Sequence, residues 1–417
     1  MKPREHLLPR QQSSVLILHE ALEQGKSPFC TSCCQTGENI GAVLRRFLPG
    51  FLAAHPHLPA RKKRILKRMA VCRSGALGHA IYECSHCGQR ESIPLGCGDR
   101  HCPCCQAVHA RRWLEHQLRW LLPVPYYHVV FTLPHELHPL LLHNQQTLYK
   151  LLFDAAAQSL LDFARTRLEG TPGITAVLHT WGQKLNYHPH LHCILTAGAL
   201  SEDATQWRRP KQQRYLFPQA AVGALFRGKF MAGLRALAQE LRWPGVSALQ
   251  SIAPLYKKNW RVYLKRPFGG PQQVLAYLAN YTHRVAIANS RIREIDEATG
   301  KVTITYRDYA DGAKIKLLKL SGTEFIRRFS LHLLPPRFTK IRHYGILGNN
   351  RKSIAIPTVR LLLHSLATVR LLLALARRPT NAAPVGCTRC HIGQMRLFAL
   401  CTLRGTFRAG PPLLDSS

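Results

Sequence analysis

Acidic residues are what this sequence has least of. Against 58 Lys plus Arg stand 22 Asp plus Glu in 417 residues, a formal charge of +36. Between Ala204 and Arg293 the one acid is Glu240, among sixteen basic residues; from Phe325 to Leu414 there is none, among fifteen. A short charge run is ordinarily a solvated face. Stretches this long repel themselves without a counter-charge, and nucleic-acid phosphate is the commonest one. An acidic lipid surface is the competing partner, but no basic stretch carries a lipid anchor or a Trp-studded amphipathic face. Long apolar runs are missing too: Leu361 to Ala376 is interrupted by His364 and Arg370 and falls short of the ~20 residues of a membrane span. No membrane partner is therefore expected. Fourteen Cys are too dilute for a disulfide scaffold and no charged-then-apolar leader opens the chain, so the expected setting is a reducing cytosol. What is present is 46% hydrophobic residues, enough for packed cores, in a length that suggests two or three domains.

Residues 1–39 read as loose, with Cys30, Cys33 and Cys34 spanning too little sequence to close a metal site alone. Helical spacing begins at Ile40, and Arg61-Lys62-Lys63-Arg64 opens a basic helix that runs to Cys72. After a Gly- and Cys-rich stretch, Val124–Thr132, Ile174–Trp181 and Tyr187–Thr196 read as strands, with one long helix at Pro139–Arg167 between the first two. A charged, Pro-containing linker at Ser201–Pro218 precedes a helix at Ala220–Leu241 and a strand at Trp260–Leu264. Pro271 opens the next helix, where its missing N–H costs nothing. Lys301–Tyr306 alternates as a strand and Gly322–Leu331 is helical. Hairpin-like pairs among alternating elements predict an α+β fold with an antiparallel sheet rather than a doubly wound one.

Cys84-Ser85-His86-Cys87 and Cys102-Pro103-Cys104-Cys105 are two CxxC knuckles at a spacing that lets Cys84, Cys87, Cys102 and Cys105 close a tetrahedron around a structural Zn²⁺. Cys72, His79, Cys97, His101 and Cys104 stand close by as substitutes or as ligands of a second ion. Cys387-Thr388-Arg389-Cys390 is a single knuckle in the tail, with His391 and Cys401 available to it.

The strand Tyr187–Thr196 places His190 and His192 on one face, because side chains alternate with period two, and turns Leu191, Cys193 and Leu195 into a core. A divalent ion fits between two such imidazoles with positions left for substrate. In the helix after Pro271, Tyr277 and Tyr281 are spaced i and i+4 and share a face. Phenols have a free pKa near 10 and need a polarised phosphodiester or a nearby base to attack; packing is the plain alternative role. Arg284, Arg291 and Arg293 follow and are suited to bind phosphate.

These motifs together resemble the HUH rolling-circle transposases of the insertion-sequence-ninety-one family, the two-tyrosine type. Tyr82–Gly88 and Arg100–Gln106 resemble its N-terminal zinc-binding domain, and His128–Leu137 the first strand of its catalytic domain. His190-Leu191-His192 matches the His-hydrophobic-His motif, and Tyr277–Ile287 the tyrosine helix. Thr323–Phe329 and Ile341–Gly345 also match, so the likeness runs from about Ile40 to Leu347. The resemblance implies a small zinc-binding domain followed by an antiparallel HUH-type sheet flanked by helices. It divides the chain into a loose 1–39, a helical and zinc-binding 40–118, a tyrosine transposase domain at 119–335 and a basic, diverged region at 336–417. It also implies cleavage and rejoining of single-stranded DNA at transposon ends, with Mg²⁺ or Mn²⁺ held by His190 and His192. Attack by Tyr281 or Tyr277 leaves a 5′-phosphotyrosine. No small-molecule substrate is expected, and the setting becomes a bacterial cytoplasm, associated with the nucleoid. The superfamily's third metal ligand is usually polar and near the tyrosine helix, yet Val285 stands one turn beyond Tyr281; Asn280, His283 and His188 are the candidates. A non-catalytic zinc-containing DNA-binding protein or decayed transposase would share the charge and the cysteines but has no need of paired His and paired Tyr. A plasmid relaxase or replication initiator would share the chemistry without the zinc domain.

Overall fold

The computed structural model describes residues 38–210, 217–244, 252–268, 274, 285–363, 386–402 and 405–408. In chain order these form α1 (Ile40–Ala54), α2 (Ala60–Ala70), β1 (His79–Cys84), β2 (Arg90–Pro94), α3 (Pro103–Leu118), β3 (Tyr126–Thr132), α4 (His138–His143) and α5 (Gln145–Leu168). There follow β4 (Gly173–Trp181), β5 (Tyr187–Thr196), short β6 (Ala199–Leu200) and β7 (Trp207–Arg208), α6 (Gln219–Ala236) and β8 (Val262–Phe268). The remainder is β9 (Ile292–Asp296), β10 (Lys301–Asp308), β11 (Lys314–Ser321), α7 (Gly322–Ser330), β12 (Ile341–Gly345), α8 (Lys352–Leu362), β13 (Met395–Thr402) and β14 (Gly405–Arg408). Two units share these elements: residues 1–112, 283–330 and 379–417 make the first, and 113–282 and 331–378 the second.

The second unit is built on a five-stranded sheet in the order β12-β4-β5-β3-β8, every pairing antiparallel. Central β5 alternates as its sequence demands: Leu191, Cys193 and Leu195 are fully buried, in one core with Val129 and Phe131 of β3 and Ile174, Ala176 and Leu178 of β4. Apolar residues of α5 and α6 fill that core, where Phe131 meets Phe226 edge to face at 4.9 Å. The buried Tyr149 and Tyr187 hydroxyls satisfy each other at 2.6 Å. The opposite face of β5 carries His190 and His192.

One long helix was expected at Pro139–Arg167; two are observed, broken at Asn144. The Asn144 amide donates to the carbonyls of Leu140 and Arg242 and accepts from the Arg242 N–H, at 2.8 to 3.0 Å. A side chain that satisfies a distant backbone in both directions stabilises the non-helical conformation at that position.

In the first unit, α1 is capped by Asn39, whose side-chain oxygen accepts from Ala42 N at 3.0 Å, satisfying one of the orphan donors of a helix start. Val43, Leu44, Leu48 and Phe51 are its buried stripe. A three-stranded sheet runs β11-β10-β9, and a four-stranded one runs β14-β13-β1-β2. The second of these departs from the chain-order division expected above: β13 pairs with β1, Cys84 opposite Met395 and His79 opposite Cys401, and β14 pairs with β13. The tail therefore contributes strands to the sheet that begins with the front of the chain. Gly78 is what permits this, since at φ +97° a Cβ there would run into the Cys401 carbonyl.

Candidate functional site

Strand pairing assembles a group of imidazoles on the face of the five-stranded sheet opposite the core of α5 and α6. His190 and His192 project together from β5, with their Nε2 atoms 3.0 Å apart. His179 of β4 lies directly across from His190 in register, and one ring nitrogen from each of His179, His190 and His192 falls within 4.8 Å of the others. Trp181 stacks on the His179 ring at 4.5 Å and holds its plane. On the other side of β5, His128 of β3 places Nε2 2.9 Å from His192 Nδ1.

The proton on His190 follows from its acceptor. His190 Nδ1 lies 2.7 Å from the His188 carbonyl oxygen, which only accepts, so Nδ1 carries the hydrogen and Nε2 of a neutral ring keeps its lone pair. Burial keeps the rings neutral by disfavouring the cation: it pushes His190 down to about 4, His128 down to about 3 and His192 well below the ordinary histidine range, with neighbouring cationic groups adding to the effect. One of these is Lys265, opposite His128 in β8.

A divalent ion fits this donor set. Neutral imidazole nitrogen is a ligand for divalent first-row ions, most strongly the later ones, while Mg²⁺ and Mn²⁺ prefer oxygen. Ligand distances of about 2.0–2.1 Å in octahedral geometry put adjacent donors about 2.9 Å apart, close to the 3.0 Å between His190 and His192. Three imidazoles leave further positions for water or phosphate oxygen.

His179, which sequence reasoning did not single out, stands where a third ligand is wanted. Of the earlier candidates for that role, His188 is on β5 but outside the three-histidine group. Asn280 and His283 lie outside the described residues, as do Tyr277, Tyr281 and Arg284. Val274, three residues before Tyr277, is described: it is fully buried in a cluster with Leu121, Tyr126 and Ile194, and Ile194 shares the face of His190 and His192 by the period of two. Arg291 and Arg293 belong to the first unit. Arg291 Nε donates to the Thr305 carbonyl at 2.8 Å, and Arg293 is exposed on β9.

The cysteines gather differently from the expected set. Cys84, Cys87, Cys102 and Cys105 do not meet; each knuckle joins a separate group of four. Cys102 and Cys105, at the start of α3, converge with Cys72 beyond α2 and Cys97 beyond β2. In this first group the sulfurs of Cys72 and Cys105, Cys97 and Cys105, and Cys102 and Cys72 are 3.6 to 3.7 Å apart. Cys84 and Cys87, at the β1–β2 turn, converge with Cys387 and Cys390. The β1–β2 hairpin separates the two CxxC pairs, so each must find partners on its own side. His101 is taken up by Asp99 at 2.7 Å, and Cys104 receives the Asn289 amide at 3.4 Å. Neither belongs to a four-cysteine group.

Comparison with known proteins finds two family matches along the chain. Residues 173–354 match a family described as "Putative transposase", and residues 43–133 one described as "Transposase zinc-binding domain". The chain is 39% identical over 341 residues to "Putative transposase y4qJ" of Sinorhizobium fredii, covering 79% of this chain and 85% of that protein. It is 27% identical over 301 residues to "Transposase for insertion sequence element IS801" of Pseudomonas savastanoi pv. phaseolicola, covering 70% and 72%. No solved structure matches it.

Proposed function

Because this chain belongs to the insertion-sequence-91 family of transposases, we propose that it cuts and rejoins single-stranded DNA at transposon ends by tyrosine attack on phosphate. The observation that carries this reading is the convergence of His179, His190 and His192 as neutral donors on paired strands, an arrangement a DNA-binding module does not need. These three residues would hold the ion, Mg²⁺ or Mn²⁺, with its remaining positions left to water and phosphate oxygen. When bound, it polarises the scissile phosphate and offsets the charge that develops on it.

The chain's own residues supply the rest. Tyr281 or Tyr277 attacks the phosphorus, the 3′ oxygen leaves, and the 5′ phosphate stays on the phenol oxygen, so the phosphodiester energy is retained for rejoining. The second phenol, four residues away in the sequence, lets a second strand be cut while the first is still held. With Nδ1–H of His190 fixed by the His188 carbonyl, its Nε2 is kept available as a ligand, and Nε2 of His192 is available likewise when its Nδ1–H donates to Nε2 of His128. Arg284, Arg291 and Arg293 contact phosphates, and the acid-poor stretches carry the rest of the backbone binding. Among the described residues no helix is long and apolar enough to cross a membrane, and the place of action is the bacterial nucleoid.

The direct test is incubation with end-labelled single-stranded DNA from the element's terminus and Mn²⁺ or Mg²⁺. A covalent protein–DNA adduct that forms with metal and not in EDTA is expected; reversible binding alone would leave only a DNA-binding protein.

Affinity for that DNA should depend steeply on salt. If roughly six to ten phosphates are neutralised, binding falls ~10³- to 10⁵-fold between 50 and 200 mM salt. A flat salt response in a filter-binding titration would remove backbone neutralisation as the basis of binding.

In the cysteine-rich unit, Cys72, Cys97, Cys102 and Cys105 hold one structural Zn²⁺. Thiolates about 2.3 Å from a tetrahedral ion lie about 3.8 Å from one another, near the 3.6 to 3.7 Å observed. All four are buried, so the ion is a folding element without an open position. Replacing Cys102 with Ser should release this metal and unfold the front of the chain while leaving the five-stranded sheet intact by hydrogen exchange. Undiminished zinc in that variant would remove Cys102 from the site.

A further inference from the structure

We propose that Cys84, Cys87, Cys387 and Cys390 form a second structural zinc site, the labile one of two, which fastens the C-terminal tail to the zinc-binding unit. The matched zinc-binding domain ends at residue 133 and contains two of these four ligands.

The geometry is that of a closed tetrathiolate centre. Sγ of Cys84 is 3.7 Å from that of Cys390, and Sγ of Cys87 is 3.7 Å from that of Cys387, again close to the edge of a zinc–thiolate tetrahedron of about 3.8 Å. Free thiols have no reason to bring four sulfurs within 4.8 Å of one another, with two pairs at 3.7 Å, whereas one divalent ion enforces it. Both knuckles aim backbone N–H groups at their own sulfurs. His86 N and Cys87 N donate to Cys84 Sγ at 3.4 and 3.5 Å, Arg389 N to Cys387 Sγ at 3.4 Å and Gly393 N to Cys390 Sγ at 3.4 Å.

The surroundings are built to bring the knuckles together. Antiparallel pairing of β1 with β13 runs up to Cys84 opposite Met395; Ser85 N donates to the Gln394 carbonyl at 2.9 Å, and Gln394 N to Ser85 Oγ at 3.0 Å. At Gly393 a methyl group would collide with Cys84 Sγ and stand 2.7 Å from His86 Cβ, so the second knuckle sits against the first with no room for a side chain. From within the knuckle, Arg389 reaches Gln89 and Thr388 reaches Glu91. His391 and Cys401 stand outside the group of four.

The ligands of this site are 300 and 306 residues apart across the two close pairs. Closing a loop of that length costs chain entropy before any contact is made, and the four-stranded sheet offers little apolar burial in return: its cluster consists of Cys84, Cys387 and Met395 with Tyr82 and Cys390 packed against it. A metal that binds only the assembled four thiolates supplies the missing free energy. Exposure ranks the two sites. All four cysteines of the first group are buried, whereas Cys87 is exposed and Cys390 half-exposed, so chelators and oxidants reach the second site first.

The experiment is metal analysis of the purified full chain, followed by timed zinc release to an excess of chelator. Two zinc ions per chain are expected, released in two phases of equal amplitude. The Cys387→Ser, Cys390→Ser double variant should hold one zinc and lack the fast phase, and its Co²⁺ form should show half the thiolate-to-metal absorption. Gly393→Val, which leaves every thiol in place, should lose the same fast equivalent; Cys401→Ser should keep both. One zinc in the wild type, or two in the double variant, would overturn the assignment. Loss of both ions from the double variant together with retention of both by Gly393→Val would also overturn it. None of these readouts depends on DNA cleavage, so they stand apart from the catalytic reading.

Discussion

A chain carrying both Tyr277→Phe and Tyr281→Phe is expected to form no covalent bond to the 5′ phosphate of single-stranded DNA. The change keeps each ring and deletes one oxygen, so packing is retained while the attacking atom is gone. Loss of a nucleophile costs many orders of magnitude in other enzymes, and a fall of at least about 10³-fold in adduct is expected here. The single variants should behave differently. If the two phenols, spaced i and i+4 in the sequence, both reach the phosphate, Tyr277→Phe or Tyr281→Phe alone should retain partial first-strand cleavage. DNA affinity should stay within a few fold in all three, because the Lys and Arg framework is untouched. Denaturing gels with 5′- and 3′-labelled substrate separate the outcomes. An adduct of undiminished yield from the double variant would place the nucleophile elsewhere.

His190→Ala and His192→Ala are expected to reduce cleavage about 10²- to 10³-fold each, the usual range when a group that stabilises developing charge is removed. His179→Ala should do the same, because His179 faces His190 across the β4–β5 pair and completes the group of three. Binding of DNA at fixed salt should change little. Mn²⁺ titrations of cleavage are the informative measurement: a lost ligand raises the metal concentration needed for half-maximal rate, whereas a merely packed histidine lowers stability and leaves that midpoint in place. Equal rates in EDTA would defeat the metal role of the whole group. Normal rates and metal dependence in His179→Ala would reduce it to the pair His190 and His192.

The contrast between His192 and His179 shows where sequence reading reaches and where it stops. His190 and His192 are two residues apart in one strand, so the pleat alone puts both imidazoles on one face. His179 comes from the neighbouring strand, and its position depends on register. Trp181 pairs with Tyr187, and counting back evenly from there would set His179 opposite Pro189, on the other face; an irregularity between His179 and Trp181 shifts the pairing by one and sets it opposite His190. A single extra residue in a ladder turns every following side chain over, and no local pattern announces it. His128 depends likewise on which strand lies on the far side of β5.

The cysteines divide along the same line. That Cys84 with Cys87, and Cys102 with Cys105, act as knuckles was legible, because a CxxC spacing is a local turn with two sulfurs directed to one point. Which knuckle meets which was not. Cys102 and Cys105 met Cys72 and Cys97, and Cys84 and Cys87 met a pair some 300 residues away, because β13 adds to the free edge of β1. By itself, then, the sequence determined the charge that demands a polyanion, the antiparallel α+β class, the faces of each strand and the short-range ligand pairs, all consequences of spacing within an element. Tertiary structure alone decided the third imidazole, the partition of eight cysteines into two groups and the return of the tail to the front of the chain. Those depend on strand order and register, which are set by the burial of whole elements against one another and carry no signature in any one of them.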